Sequence, residues 1–210
     1  MTRRIAILAQ YDPDGGVPAH VRVHLEGLRD VVDRLILVSN SPINPEAKEA
    51  IGSVCDRVVA RKNIGWDFAG WRDVVASEDL TPFDWVILTN SSVIGPLYPL
   101  EPILEKMEAV GKDFWGMVLT HHRGEHLQSY FISFGASVVR SDAWQTWWRG
   151  VDDIEDKDEV IRRYEVRMTK HFSDANLSYG HLIRNPAFPK SIQLVTSYRY
   201  RKFYPYRFPF

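Results

Sequence analysis

Asn63-Ile64-Gly65-Trp66-Asp67-Phe68-Ala69-Gly70-Trp71-Arg72 follows the short strand-like run Arg57 to Ala60 and opens a helix-forming stretch. A strand that passes through glycine into a helix is the repeating joint of an α/β sheet, so this stretch sets the expected fold class. Its chemistry allows two readings. Gly65 and Gly70 let backbone approach a ligand or a neighbouring element closely, and Asn63 and Asp67 carry groups that read hydroxyls or a ring edge. The helix start also offers unpaired N–H groups to an anion. Alternatively the stretch is a tight turn with Trp66, Phe68 and Trp71 in the core.

The same joint recurs along the chain. Strand-like runs stand at Ile5 to Gln10, Arg34 to Val38, Arg57 to Ala60, Asp84 to Leu88 and Phe114 to Leu119, with helix-period segments between most of them. A mostly parallel sheet flanked by helices is expected. In the first helix Val17, Val21, Leu25 and Leu28 form one face, with Pro18 in the first turn. A later helix places Ile103, Met107 and Val110 together and ends at Gly111. Leu127 to Phe134 reads as one further strand, Ala143 to Trp148 as a short helix behind Ser141, and Lys157 to Phe172 as a longer helix. From Asn185 onward proline and aromatics dominate without period. The expected organisation is one domain over residues 1–196 and an aromatic, basic tail over 197–210.

Composition narrows the function. With 26 Lys plus Arg against 27 Asp plus Glu among 210 residues, no basic excess points to nucleic acid. Cys55 stands alone, which excludes an internal disulfide, and no apolar run reaches the roughly 20 residues of a membrane span. Met-Thr-Arg-Arg leads straight into strand-like sequence, so a cytoplasmic protein is expected. Gln10 to Gly16 joins a strand to a helix but lacks the G-x-G-x-x-G spacing, and no P-loop occurs, so NAD and ATP are not the expected ligands.

Open parallel sheets bind ligands beyond the carboxyl ends of their strands. Tyr11 and Asp12, Asn40 and Ser41, Asn63 to Asp67, and Asn90 to Ser92 all fall there. If strand order reverses between the first and fourth strands, Asp12, Asp67 and Asn90 converge on one crevice. Tyr11 suits stacking on a base, and Asp12 suits a ring nitrogen or ribose hydroxyl. His20 and His24 have a metal-compatible spacing but no supporting motif, and an exposed helix face is expected. Of His121, His122 and His126, the last is the expected ligand contact. Trp144, Trp147 and Trp148 share a helix face that favours core or interface packing over a sugar platform. Val160, Ile161, Tyr164 and Met168 form a stripe with Glu165 at its edge. Desolvation there should raise its pKa toward that of a general base; a salt bridge to Arg162 or Lys170 is the alternative.

Taken in order, the Asn63 turn, Asn90-Ser91-Ser92-Val93-Ile94-Gly95-Pro96, His126-Leu127-Gln128-Ser129-Tyr130-Phe131 and Tyr164-Glu165-Val166 resemble the rhamnan synthesis protein F family. The resemblance implies a single-domain GT-A-like fold, the nucleotide-diphosphosugar transferase architecture, and an inverting glycosyltransferase of bacterial surface polysaccharide assembly. It implies Glu165 as the base, and Tyr11, Asp12, Asn63, Gly65, Trp66, Asp67, Asn90, Ser91 and Ser92 on the donor side. His126, Gln128 and Ser129 would line the acceptor or sugar. Rhamnose is the sugar it suggests, with a lipid-linked glycan as acceptor at the inner membrane face, reached through the tail. Asn90 to Ser92 stand where GT-A enzymes carry Asp-x-Asp, and family members often have Asp where Ser91 stands here. Manganese or magnesium use is therefore open, with Asp12, Asp67 and His181 as candidate ligands, or Lys and Arg in place of a metal. A non-catalytic glycan-binding or scaffold domain is the alternative.

Overall fold

The structure, a computed structural model, describes residues 2–184 and 210. Its first half repeats the strand–helix joint: β1 (Arg4–Gln10), α1 (Ala19–Arg29), β2 (Arg34–Ser39), α2 (Pro45–Ile51), β3 (Arg57–Ala60), α3 (Trp66–Ser77), β4 (Trp85–Asn90) and α4 (Glu101–Glu108). The second half carries β5 (Phe114–Thr120), β6 (His126–Leu127), β7 (Phe131–Gly135), α5 (Ala136–Val139), α6 (Asp142–Arg149), α7 (Lys157–Val160), a π-helical segment (Ile161–Glu165), α8 (Val166–Asp174) and β8 (Tyr179–Arg184).

β1 pairs in parallel with β2 on one side and β4 on the other, and β2 pairs in parallel with β3. β7 then pairs antiparallel with both β4 and β5, so β5 runs in the direction of β4. Leu119 pairs with both Leu127 and Arg184, and Phe114 with both Phe134 and Tyr179. β8 therefore holds one edge of β5, while β6 and β7 share the other. Only β6 and β7 run against the rest, which is the mostly parallel sheet the alternation predicts.

Both faces of the sheet are covered, and β1 is buried along its whole length, as central parallel strands are. Ala6 and Leu8 face α1, α2 and α4, whereas Ile5, Ile7 and Ala9 face α3 and the helices of the second half. Burying a side chain of this size contributes roughly 1.5–3 kcal/mol. Trp71 fixes α3 to the sheet through its indole N–H, which donates to Thr89 O at 3.2 Å. Gly70 brings that helix close to β2, because a Cβ there would lie 3.3 Å from Val38. Gly27 does the same for α1 and the loop after β4, where a Cβ would meet Pro96 at 2.4 Å. Trp144, Trp147 and Trp148 are buried in the core, and the Ser141 hydroxyl caps α6 by accepting from Trp144 N at 3.2 Å, worth about 1 kcal/mol.

Three expectations are corrected. α4 stops at Glu108 and Val110 is exposed, because the face that reaches the sheet is Ile103, Leu104 and Met107. Leu127 to Phe134 is not one strand. Leu127 faces Leu119 and Ile132 faces Gly116, so five steps on one strand match three on β5, and a two-residue bulge separates β6 from β7. His24 does not lie on an exposed face; it is fully buried. Burial, with a smaller contribution from His20, pushes its pKa down to about 4. The 197–210 tail lies outside the described residues except for Phe210, whose ring centroid is 5.0 Å from that of His24.

Candidate functional site

Strand order reverses at β1. α1 carries the chain from β1 to β2 on one side, and α3 returns it to β4 on the other. The carboxyl ends of β1 and β4 lie side by side there, the usual ligand position in open α/β sheets. Asn90 ends β4, and Asp67 lies in the first turn of α3. The Asn90 Nδ2 donates to Asp67 Oδ2 at 2.8 Å, and its Oδ1 accepts from Ser92 N at 3.0 Å. Both halves of the amide are thus engaged. Burial pushes the Asp67 carboxyl up to about 6 against the hydrogen bond from Asn90 and the charge of Lys157, with the Glu165 charge adding to the rise. Ser91 presents its carbonyl to His20 Nε2 at 3.3 Å, and Ser92 is exposed.

Glu165 comes near enough for its charge to act on Asp67 through two departures from regular structure. The bulge after β6 turns Ser129 inward, and the π-helical segment ends on Glu165. Ser129 Oγ donates to Glu165 Oε2 at 2.6 Å, and His126 Nε2 lies 3.5 Å from Oε1. His126 Nδ1 stands 2.9 Å from Gly124 O. A carbonyl only accepts, so Nδ1 carries hydrogen, and Nε2, which faces the carboxylate, donates to it only in the doubly protonated ring. The expected rise in the Glu165 pKa is corrected by this arrangement. Burial does push it up, but hydrogen bonds from His126 and Ser129, with the charges of His126 and Arg123, outweigh burial and hold it below the usual carboxylate range. The alternative partners are not used: Lys170 pairs with Asp174 at 2.7 Å.

Strand ends β1 to β3 border an open cavity of about 550 Å³ lined by Tyr11, Pro13, Asn40, Pro42, Arg61 and Asn63 among others. Tyr11 is 49 % exposed and Asn63 is exposed. Arg61 braces the cavity wall, bonding Asn40 Oδ1 at 2.9 Å, Asp73 at 2.8 Å and Asp153 at 3.0 Å. Asp12 is not brought to Asp67 by any bond. Its Oδ1 accepts from Asp14 N at 2.9 Å and Gly16 N at 3.2 Å, folding its own loop. Gly65 takes φ +77 as the residue before α3, where a Cβ would stand 2.3 Å from that of Ala69. Trp66 turns outward, donating to Glu155 O at 3.0 Å with the Lys157 ammonium 5.2 Å above its ring. Gln128 holds the start of the bulge, its N–H bonded to Val118 O at 2.9 Å.

A divalent cation does not fit the end of β4. Hard cations need several oxygen donors, carboxylates foremost. Here Asn90 is engaged on both sides, Ser91 and Ser92 bring no carboxylate, and Asp67 is the single acid. His181 sits instead on β8 beside Glu125, which accepts from Tyr179 OH at 2.7 Å. Among the described residues no three His, Cys, Asp or Glu side chains form a cluster suited to a metal.

Sequence reasoning missed Lys157 and Arg123. Arg123 lies near Glu165 and bonds Asp158 at 3.2 Å, next to Lys157. Both are exposed residues of ordinary type in loops or at a helix start, and no spacing marks them.

Comparison with known proteins extends the picture. The chain is 29% identical over 175 residues to uncharacterized protein y4gN of Sinorhizobium fredii, covering 80% of this chain and 45% of that protein. It spans less than half the length of the curated relatives it matches. Among solved structures, HddC from Yersinia pseudotuberculosis aligns with a TM-score of 0.53 at 10% identity, over 87% of this chain and 91% of that one. A 4-diphosphocytidyl-2C-methyl-D-erythritol synthase from Anaerococcus prevotii aligns at 0.51 and 11% identity, over 96% of each. At such identities the likeness concerns the fold alone, an α/β architecture shared with those two proteins. Residues 35–202 match the profile described as Rhamnan synthesis protein F, and the chain belongs to that family.

Proposed function

We propose that this chain is a glycosyltransferase domain that moves a sugar from a nucleoside-diphosphate donor to a hydroxyl of a surface glycan, with inversion. The observation that carries the reading is Glu165, its carboxylate bonded by Ser129 beside His126 and near enough for its charge to act on Asp67 at the reversal of strand order. Glu165 takes the proton of the acceptor hydroxyl as that oxygen bonds to the anomeric carbon. The bond from that carbon to the diphosphate breaks, and the electron pair leaves with the phosphate. An ionised carboxylate is ready to accept at neutral pH, although a lowered pKa weakens its pull on the proton.

The cavity beside Tyr11 and Asn63 has the size and the aromatic edge to take a nucleobase. His126, Gln128 and Ser129 belong to the acceptor or sugar side. The family name points to rhamnose as the sugar. A lipid-linked acceptor at the inner membrane face suits the interleaved aromatic and basic residues of the 197–210 tail, which favour headgroups. The test is release of nucleoside diphosphate from a panel of nucleotide sugars, including deoxythymidine-diphosphate rhamnose, offered with glycan acceptors. Acceptor-dependent release that vanishes in Glu165→Gln supports the reading.

A second reading has one observation in its favour. The Asn90 loop is closed on itself by hydrogen bonds and lacks carboxylates, which suits a domain that holds glycan without turnover. Glycan binding with no release from any donor would establish that reading instead.

A further inference from the structure

We propose that the donor diphosphate is neutralised here by side-chain cations rather than by a divalent metal, with Lys157 as the group that meets it and Arg123 at its flank. The inference rests on the transferase reading and goes beyond it by assigning the phosphate-binding residues. A leaving diphosphate carries concentrated negative charge, which the protein must meet either with a metal or with its own donors. The end of β4 offers a metal one carboxylate and an amide already committed to Asp67 and Ser92. The charge has to come from elsewhere near these strand ends.

Lys62 lines the cavity and makes no ion pair among the described residues, but the cation whose charge acts on Asp67 is Lys157. Arg61 faces the cavity but is bound by Asn40, Asp73 and Asp153. Arg72 is held by Asp73 at 2.7 Å and Asp153 at 3.0 Å. Lys157 is different. Its ammonium stands 5.2 Å over the outward face of Trp66, close enough for its charge to act on Asp67, and it makes no ion pair among the described residues. It is the first residue of α7, exposed, and it lies against Trp66, the residue before Asp67. Arg123 arrives from the loop between β5 and β6, near Glu165, and its guanidinium bonds Asp158, the residue after Lys157. Lys157 thus acts on Asp67 and Arg123 on Glu165, and Arg123 bonds the residue next to Lys157. Those carboxylates would repel a diphosphate unless cations lay between.

The experiment is calorimetric titration of the full chain with a panel of nucleoside diphosphates and the matching nucleosides, in EDTA and in manganese. Lys157→Met keeps the apolar stem over Trp66 and removes the charge. The expected result is diphosphate binding that EDTA leaves unchanged. In Lys157→Met it weakens about 10- to 100-fold, the scale of a lost charged hydrogen bond, while nucleoside binding stays as in the parent and Lys157→Arg retains most of the affinity. Binding that requires manganese overturns the inference while leaving the donor site standing. So does a Lys157→Met protein that binds diphosphate like the parent, or one that loses nucleoside and diphosphate equally. Failure of every nucleoside diphosphate in both buffers overturns the donor site, and this inference with it.

Discussion

From Arg4 to Asn90 the chain repeats one joint with parallel strands in regular register, whereas from Phe114 to Arg184 it breaks register twice, with a two-residue bulge before β7 and a π-helical segment before α8. The regular half offers strand ends, a cavity and the Asp67–Asn90 pair. The irregular half offers Ser129 and Glu165, which meet because extra residues re-aim them. On the proposed function, regular α/β repetition builds the place to bind and local insertions bring the base to it.

The difference can be broken hardest at Glu165. Glu165→Gln keeps a partner for Ser129 but removes the base, and turnover should fall about 10²- to 10⁴-fold with donor affinity nearly unchanged; parallel kinetics and calorimetry would check both. Removing Arg162, an exposed residue of the π segment, should return the helix to α geometry. Tyr164 and Glu165 would then lose their places together, at roughly 3 kcal/mol, as for loss of a buried aromatic. Denaturant midpoints give the stability, and an unchanged midpoint would refute the π segment's role. In the regular half Gly65→Ala forces a left-handed φ on alanine and a clash with Ala69, costing about 2–3 kcal/mol, and should weaken donor binding because Asp67 follows.

Asp67→Asn sharpens the contrast in the opposite direction. The carboxyl binds its proton more tightly folded, at about 6, than unfolded, near 3.8. That favours the fold at low pH and is lost as pH rises through 6. The amide should therefore raise stability at pH 7 by about 2 kcal/mol, allowing for partial exposure, and change little near pH 4, while donor binding weakens. Thermal melts at the two pH values decide it. Smallest is Ser129→Ala. Glu165 has a depressed folded pKa, so its contribution to stability is present above the unfolded value and lost as pH falls through the folded one. Without the Ser129 bond the acidic limb of the pH–rate profile should move to higher pH.

Legibility in the sequence follows the same division. The strand ends, the reversal at β1 and the meeting of Asp67 with Asn90 were readable, because valine and isoleucine runs alternate with helix periods and polar residues gather after them. The bulge was not, since Leu127 to Phe134 contains no glycine or proline to mark a break. The π segment left a trace. Val160, Tyr164, Met168 and Phe172 are all buried and lie four apart, a spacing that drifts about 40° per step on a 3.6-residue helix. A wider turn inside the run cancels that drift and keeps all four on the core. The Asp12 bonds to its own loop were not readable, because a turn acid after a strand looks the same whether it faces a ligand or nearby N–H groups. The Glu165 pKa misled because its partners come from residues 36 and 39 positions away, which no local pattern reports.

Arg61 has a consequence for recognition. With its guanidinium shared among Asn40, Asp73 and Asp153, it joins the end of β2, the middle of α3 and the segment before α7 into one frame. A wall tied in this way needs no ordering when a ligand arrives, so little association entropy is lost there. Discrimination by such a wall comes from rigidity. On the proposed function, a base of the wrong outline would meet a surface that cannot yield, and selectivity at this end of the molecule should survive changes of temperature that would blur a mobile one.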